Sequence, residues 1–237
     1  MNRRLLISYS FYYEGDYFKI RKAISDKQEL PIKETDNALT IFDEEYPKKL
    51  LDLKYPPLVL FYRGDLSLLK KESIGVVGSR QACSYALKAT ERLVKKNNDK
   101  VVISGLAKGI DACGHENASK TIGILGCGIN YIYPYCNRKL IERVAREGLI
   151  LSEYPDLCKP YAYHFPFRNR IIAALSDKIY IMQSNARSGT MTSLNEALEL
   201  GKEVKVLPYD IFDEYGINNN QLIYEGATPI SIDEIAF

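Results

Sequence analysis

The sequence predicts an α/β protein: a doubly wound, mostly parallel sheet with a small helical appendage at the N-terminus. Three observations carry this. Six short runs of β-branched and apolar residues recur from Ile74 onward, and segments of helical length separate them. Each run is apolar almost throughout, as a strand covered on both faces must be. This alternation is the signature of βαβ units, whose right-handed crossovers put helices on both sides of the sheet.

The elements follow in order along the chain. The first 41 residues are tyrosine-rich and charged and show no deep hydrophobic period, so they form the small helical appendage. In YPKKLLDLKYPPLVLFYRGD (46–65), the Pro56-Pro57 pair breaks any helix, and Leu58 to Tyr62 reads as a strand that extends the sheet. The buried strands are IGVVG (74–78), VVISG (101–105), TIGILG (121–126), GLILS (148–152), KIYIM (178–182) and EVKVLP (203–208). Crossover helices are expected over 85–96, 109–119, 137–147, 168–175 and 191–200. The last carries Leu194, Ala197 and Leu198 at helical intervals.

With 237 residues and 46% hydrophobic content, the chain can bury one substantial core, with or without a small module. Met1 to Tyr13 lacks a signal-peptide apolar run and cleavage site, and no stretch approaches the roughly 18 apolar residues of a membrane span. The expectation is a soluble, cytoplasmic protein with no membrane partner. The five cysteines, Cys83, Cys113, Cys127, Cys136 and Cys158, contain no C-x-x-C pair, which favours neither a disulfide framework nor a zinc site. His115 and His164, even with Asp111, lack metal-ligand spacing and are expected to serve packing or hydrogen bonding. Cys113 and Cys127 read as small core residues. No metal and no cofactor is expected.

The net charge of +2 is unevenly distributed: Lys70 to Lys108 holds nine bases against three acids, and Tyr209 to Phe237 holds six acids and no base. Charge alone decides nothing about partners, but the basic segment contains the loops that matter. In a parallel α/β sheet, ligands bind at the carboxyl ends of the strands, where helix N-termini offer free N–H groups to anions. At those ends stand Gly78-Ser79-Arg80, then Ser104-Gly105-Leu106-Ala107-Lys108-Gly109, then Ser184 to Arg187 followed by Ser188-Gly189-Thr190. Glycines let amides approach a phosphate, hydroxyls add donors, and Arg80 and Lys108 add charge. Singly, such glycines can serve only tight packing; three loops converging at one sheet end form an anion cradle.

His164-Phe165-Pro166-Phe167-Arg168-Asn169-Arg170 joins two arginines to two phenylalanines just before the apolar IIAAL. Arginine grips phosphate and an exposed aromatic stacks on any unpaired base, a contact worth about 1–3 kcal/mol. Alternatively, either phenylalanine is core beneath the loop, and Arg170 pairs with a helix or a carboxylate.

SGLAKGID (104–111), GILGCGINYIYPYCN (123–137), LSEYP (151–155), FPFRNRIIAALS (165–176), and SGT (188–190) followed by EALELGKEV (196–204) together resemble the DprA/Smf family, over about Phe42 to Ala227. The resemblance implies an extended Rossmann-like domain over 42–237 behind the appendage of 1–41. It also implies sequence-independent binding of single-stranded DNA, homodimerisation, and loading of RecA onto incoming strands in natural transformation. Carried over by position, the DNA pocket falls on Ser79, Arg80, Ser104, Gly105, Leu106, Lys108, Phe165, Arg168, Asn169, Arg170, Ser188 and Gly189, with Lys202 a looser candidate. No catalytic residue is implied. The chain departs from the family in several places. Its N-terminal module is expected to be reduced to roughly forty residues, and no winged-helix domain is expected after Phe237. Gln183-Ser184 replaces an acidic residue and alanine, and Tyr209-Asp210 a proline-glycine turn.

The main rival on this fold is a LOG-type nucleotide phosphoribohydrolase, or a nucleotide-binding regulatory protein. The hydrolases need P-G-G-x-G-T-x-x-E. Here Ser193 stands where the glutamate belongs, and Glu196 lies one turn later, about 4.5 Å along a helix, which spoils the geometry hydrolysis demands. A dinucleotide oxidoreductase fits less well: Gly126-Cys127-Gly128 has Tyr131 where the third glycine belongs. In the DNA reading, Arg80, Lys108, Arg168 and Arg170 hold phosphates and Phe165 stacks on a base. Four phosphate contacts would give a salt slope near about −3, and a dimer would raise effective concentration on one strand.

Overall fold

The computed structural model describes residues 2–184 and 189–236. Two helices open the chain, α1 (Arg3–Tyr12) and α2 (Tyr17–Ser25). Asn2 caps α1 by accepting from the Leu5 amide, and Asp16 caps α2 by accepting from Phe18 and Lys19. Their inner faces bury Leu6, Ile7, Tyr9, Ile20 and Ala23.

Strands β1 (Ala38–Thr40) and β2 (Val59–Gly64) follow, then β3 (Ser73–Gly78), β4 (Val101–Ser104), β5 (Thr121–Ile124), β6 (Leu149–Ser152), β7 (Lys178–Gln183), β8 (Glu203–Val206) and β9 (Thr228–Pro229). They form one sheet in the order β1-β2-β6-β5-β4-β3-β7-β8-β9. From β6 to β9 every pairing is parallel; β2 runs antiparallel to both β6 and β1. The six buried runs are therefore strands of a doubly wound sheet, and the strand at Leu58 to Tyr62 extends it.

The crossovers are α3 (Ser84–Lys96), α4 (Ile110–Asn117), α5 (Arg138–Glu147), α6 (His164–Leu175) and α7 (Gly189–Glu199), with α8 (Ile217–Tyr224) before β9. Helix α3 turns Ala86, Ala89, Thr90, Leu93 and Val94 inward and leaves Lys95 and Lys96 in its last turn, where cations suit the dipole. From the central β3, the chain builds β4, β5 and β6 on one side and returns to build β7, β8 and β9 on the other. The point between β3 and β7, where the direction of winding reverses, is where a crevice opens at the strands' carboxyl ends.

Among the described residues, no helix is long and apolar enough to cross a membrane, and no three His, Cys, Asp or Glu side chains are grouped to hold a metal ion.

Candidate nucleic-acid interface

A cleft of about 690 Å³ occupies this switch point, walled by the turn after β3 (Gly78 to Gln81), by Ala107 and Asp111, by one face of α6 and by Thr190 and Ser193 of α7. A smaller lobe of about 350 Å³ continues past Gly105, Lys108, Gly126 and Tyr133.

The turn after β4 holds its shape through its own residues. Gly109 has φ +73°, and a Cβ there would overlap the Ser79 carbonyl, so the position requires glycine. Leu106 also has positive φ and is fully buried, its side chain seated against Gly123. Asn137 donates from Nδ2 to the carbonyls of Leu106 and Ala107, each at 3.0 Å. Asp111 accepts from the amides of Gly105 at 3.1 Å and Ala107 at 3.4 Å. Burial pushes the Asp111 carboxyl up; the nearby Arg168 charge and the two amides pull against it.

Arg168 closes the floor. It is 3% exposed, and its Nη1 donates to the Ile124 carbonyl at 2.6 Å. Its guanidinium lies where a Cβ on Gly105 would sit, so that glycine exists for close approach. Burial lowers its pKa, Asp111 raises it and Arg80 lowers it. Its buried Nε has no hydrogen-bond partner among the described residues. A buried donor left unpaired is costly.

Arg80 is exposed at the mouth, with its guanidinium 5.3 Å from the centroid of the half-buried Phe165 ring. Phe165 packs under Tyr133 at 5.4 Å and against Gly126. Lys108 is exposed beside the smaller lobe, and Asn169 lines the main cleft. Ser79 borders the cleft, its Oγ accepting from the Gln81 amide.

Several residues singled out by sequence lie elsewhere. Arg170 is 2% exposed and turned away from the cleft: Nη1 and Nη2 grip Glu153 at 2.6 and 2.7 Å, Nε donates to the Tyr55 carbonyl, Nη1 also to that of Phe167, and the guanidinium covers the Phe167 ring at 3.7 Å. Phe167 sits with Tyr17, Phe18 and Tyr55 under α2. Ser104 is buried and donates to the Val76 carbonyl at 2.6 Å, so its hydroxyl is engaged in the sheet. Lys202 directly precedes β8, at the amino ends of the parallel strands, near Lys49 and Asp177 and opposite the cleft. Ser188 lies outside the described residues, as do Asn185 to Arg187; Gly189 opens α7. Leu106 supplies backbone shape and core packing.

Both histidines are buried in packing roles: His164 stacks on Tyr154 at 3.7 Å, and His115 Nδ1 lies 2.5 Å from Thr121 Oγ1. Ser193 lines the cleft where a hydrolase would need its glutamate. The charges acting on Glu196 are those of Glu199, Arg170 and Lys54, on the far side of α6 and α7. Sequence reasoning passed over Gln81, Tyr133 and Asn137 as site residues, while Thr190, named in the third loop, lines the cleft; of the three, Asn137, the last residue of the 123–137 motif, carried a signal as a polar residue at a helix start.

A doubly wound sheet with an aromatic-walled cleft, lined by Arg80, Arg168 and Lys108, at its switch point defines a Rossmann-type fold. This chain belongs to the DNA recombination-mediator protein A family, whose model matches residues 37–236. It is similar to DNA processing protein DprA of Streptococcus pneumoniae, with 37% identity over 89% of this chain and 75% of the relative. It is likewise similar to DprA of Bacillus subtilis, with 39% identity over 82% and 68%. The X-ray structure of the S. pneumoniae protein superposes with a TM-score of 0.79 at 36% identity, covering 92% of this chain and 78% of that one. DprA of Helicobacter pylori, solved for its single-stranded DNA binding mode, gives 0.75 at 36%, covering 81% and 90%.

Proposed function

We propose that this protein binds single-stranded DNA without sequence preference in the cleft between β3 and β7, and makes or breaks no bond there. The observation that carries the reading is the pairing of Arg80 with Phe165 at the mouth, 5.3 Å apart, with Arg168 lining the same cleft. A phosphate meets cations at the lip and floor, and a base has an aromatic face to lie on. Similarity to the H. pylori protein supports the same ligand. Homodimerisation, delivery of strands to RecA during transformation and a cytoplasmic location complete the proposal, as the family resemblance implies.

Among the described residues, three cations border the two lobes: Arg80, Lys108 and Arg168. At about 0.7 per phosphate, the slope of log affinity against log salt is about −2. Fluorescence anisotropy of a labelled oligothymidine at several salt concentrations, with duplex competitor, measures it. Preference for the single strand, a slope near that value and loss of binding in Arg80→Glu are expected; a flat salt response in folded protein would overturn the proposal.

A further inference from the structure

The sequence contains 18 tyrosines and no tryptophan, and two of the tyrosines are displayed just outside the cleft. Tyr161 and Tyr163 precede α6 with their rings parallel to within 11° and 5.7 Å apart. They are 43% and 64% exposed, so neither is a core residue. Between them Ala162 lines the cleft, as does Pro160, which leaves the two tyrosines on the outer side of the same lip.

A single buried residue orients them. His164 donates from Nδ1 to the Gly126 carbonyl at 3.2 Å and stacks on Tyr154. Both tyrosine rings meet it edge-on, Tyr161 at 5.2 Å and Tyr163 at 4.6 Å. The next residue, Phe165, rests against the same Gly126 from the cleft side. One anchor thus fixes aromatic surfaces on both sides of the start of α6. On the outer side, Lys159 is exposed, and Lys19, paired with Asp16 at 3.5 Å, stands near Tyr163.

We infer that Tyr161 and Tyr163 form a second base-stacking platform outside the lip of the cleft, occupied by bases of the strand that continue beyond Arg80 and Phe165. This rests on the single-strand reading of the cleft. Continuity with the cleft lip selects the occupant: the same strand reaches the platform by crossing Ala162. Stacking needs the open face of an unpaired base and tolerates any sequence.

The test uses the whole protein with labelled oligothymidines of ~4 and ~16 nucleotides, lengths that bracket a small binding site and its continuation. The Tyr161→Ala/Tyr163→Ala variant should weaken the longer strand about tenfold, as loss of one stacked base predicts, and leave the shorter strand and the salt slope unchanged. Tyr161→Phe/Tyr163→Phe should bind both lengths as the parent does. The indole introduced by Tyr163→Trp, the sole one in the chain, should be quenched by the long strand only. Equal binding by the double-alanine variant at an unchanged thermal midpoint, or equal weakening at both lengths, overturns the platform. Arg80→Glu separates the two readings: if it abolishes binding while the double-alanine variant binds normally, the platform alone fails. If Arg80→Glu changes nothing, the cleft reading fails.

Discussion

Breaking the Arg170–Glu153 pair should destabilise the fold and spare DNA binding. Both side chains are almost fully buried, at 2% and 5% exposure, and the guanidinium also satisfies the carbonyls of Tyr55 and Phe167. Arg170→Met leaves a buried carboxylate without its counter-charge; Glu153→Gln leaves a buried guanidinium facing a neutral amide. Removing one partner of such a pair costs about 3–5 kcal/mol. For a chain of this size, at about 2 °C per kcal/mol, the thermal midpoint should fall by about 6–10 °C. Replacing both residues with apolar ones, Glu153→Leu/Arg170→Met, should cost less than the two singles together, because no charge is left stranded. Calorimetry gives the midpoints, and anisotropy well below them should find the affinity of folded Arg170→Met within about twofold of the parent, as expected of a change remote from the contacts. An unchanged midpoint with lost DNA binding would refute the reasoning and make Arg170 a ligand.

Gly105→Ala drives a methyl into the Arg168 guanidinium; urea unfolding should show a loss of about 1–3 kcal/mol, with weaker DNA binding as Arg168 leaves the floor. Asn137→Ala removes two bonds to the turn and should cost about 1–2 kcal/mol, with faster hydrogen exchange at the Gly105 and Ala107 amides. Burial, with Arg143 and Arg168, pushes the His115 pKa from 6.5 down to about 3. The native state therefore binds this proton more weakly than the unfolded chain. The contribution is complete above pH 6.5 and falls away as pH drops toward 3, by about 5 kcal/mol in all. His115→Gln should flatten the urea midpoint between pH 6.5 and 4.

Six strands and their crossovers were legible because β-branched runs and helical intervals record burial on both faces. Strands β1 and β9, three and two residues long, carry too little periodicity to be read. The cleft residues divide for geometric reasons. Helix α6 begins at His164, so residues two apart point about 200° away from each other at 3.6 residues per turn. Arg168 and Arg170 therefore cannot share a face, nor can Phe165 and Phe167; a helix start placed at Arg168 hides this. Lys202 follows the same logic at sheet level, because a residue preceding a parallel strand belongs to the pole opposite the cleft. Ser104 stands at a strand end, where its hydroxyl is taken by the neighbouring strand, a contact that its place in the motif does not reveal.

Leu106, at the apex of the turn after β4, packs in the same apolar cluster as Leu6, Ile7 and Tyr9 of α1 and Ile20 of α2. The turn's backbone borders the cleft, and the Leu106 side chain is seated against Gly123 within that shared cluster. Variation on the inner face of the N-terminal helices is expected to reach the turn through this shared cluster, without touching the cleft. Homologues that diverge there are expected to covary at the position of Leu106, and grafting the cleft loops onto another scaffold would need that supporting face to travel with them.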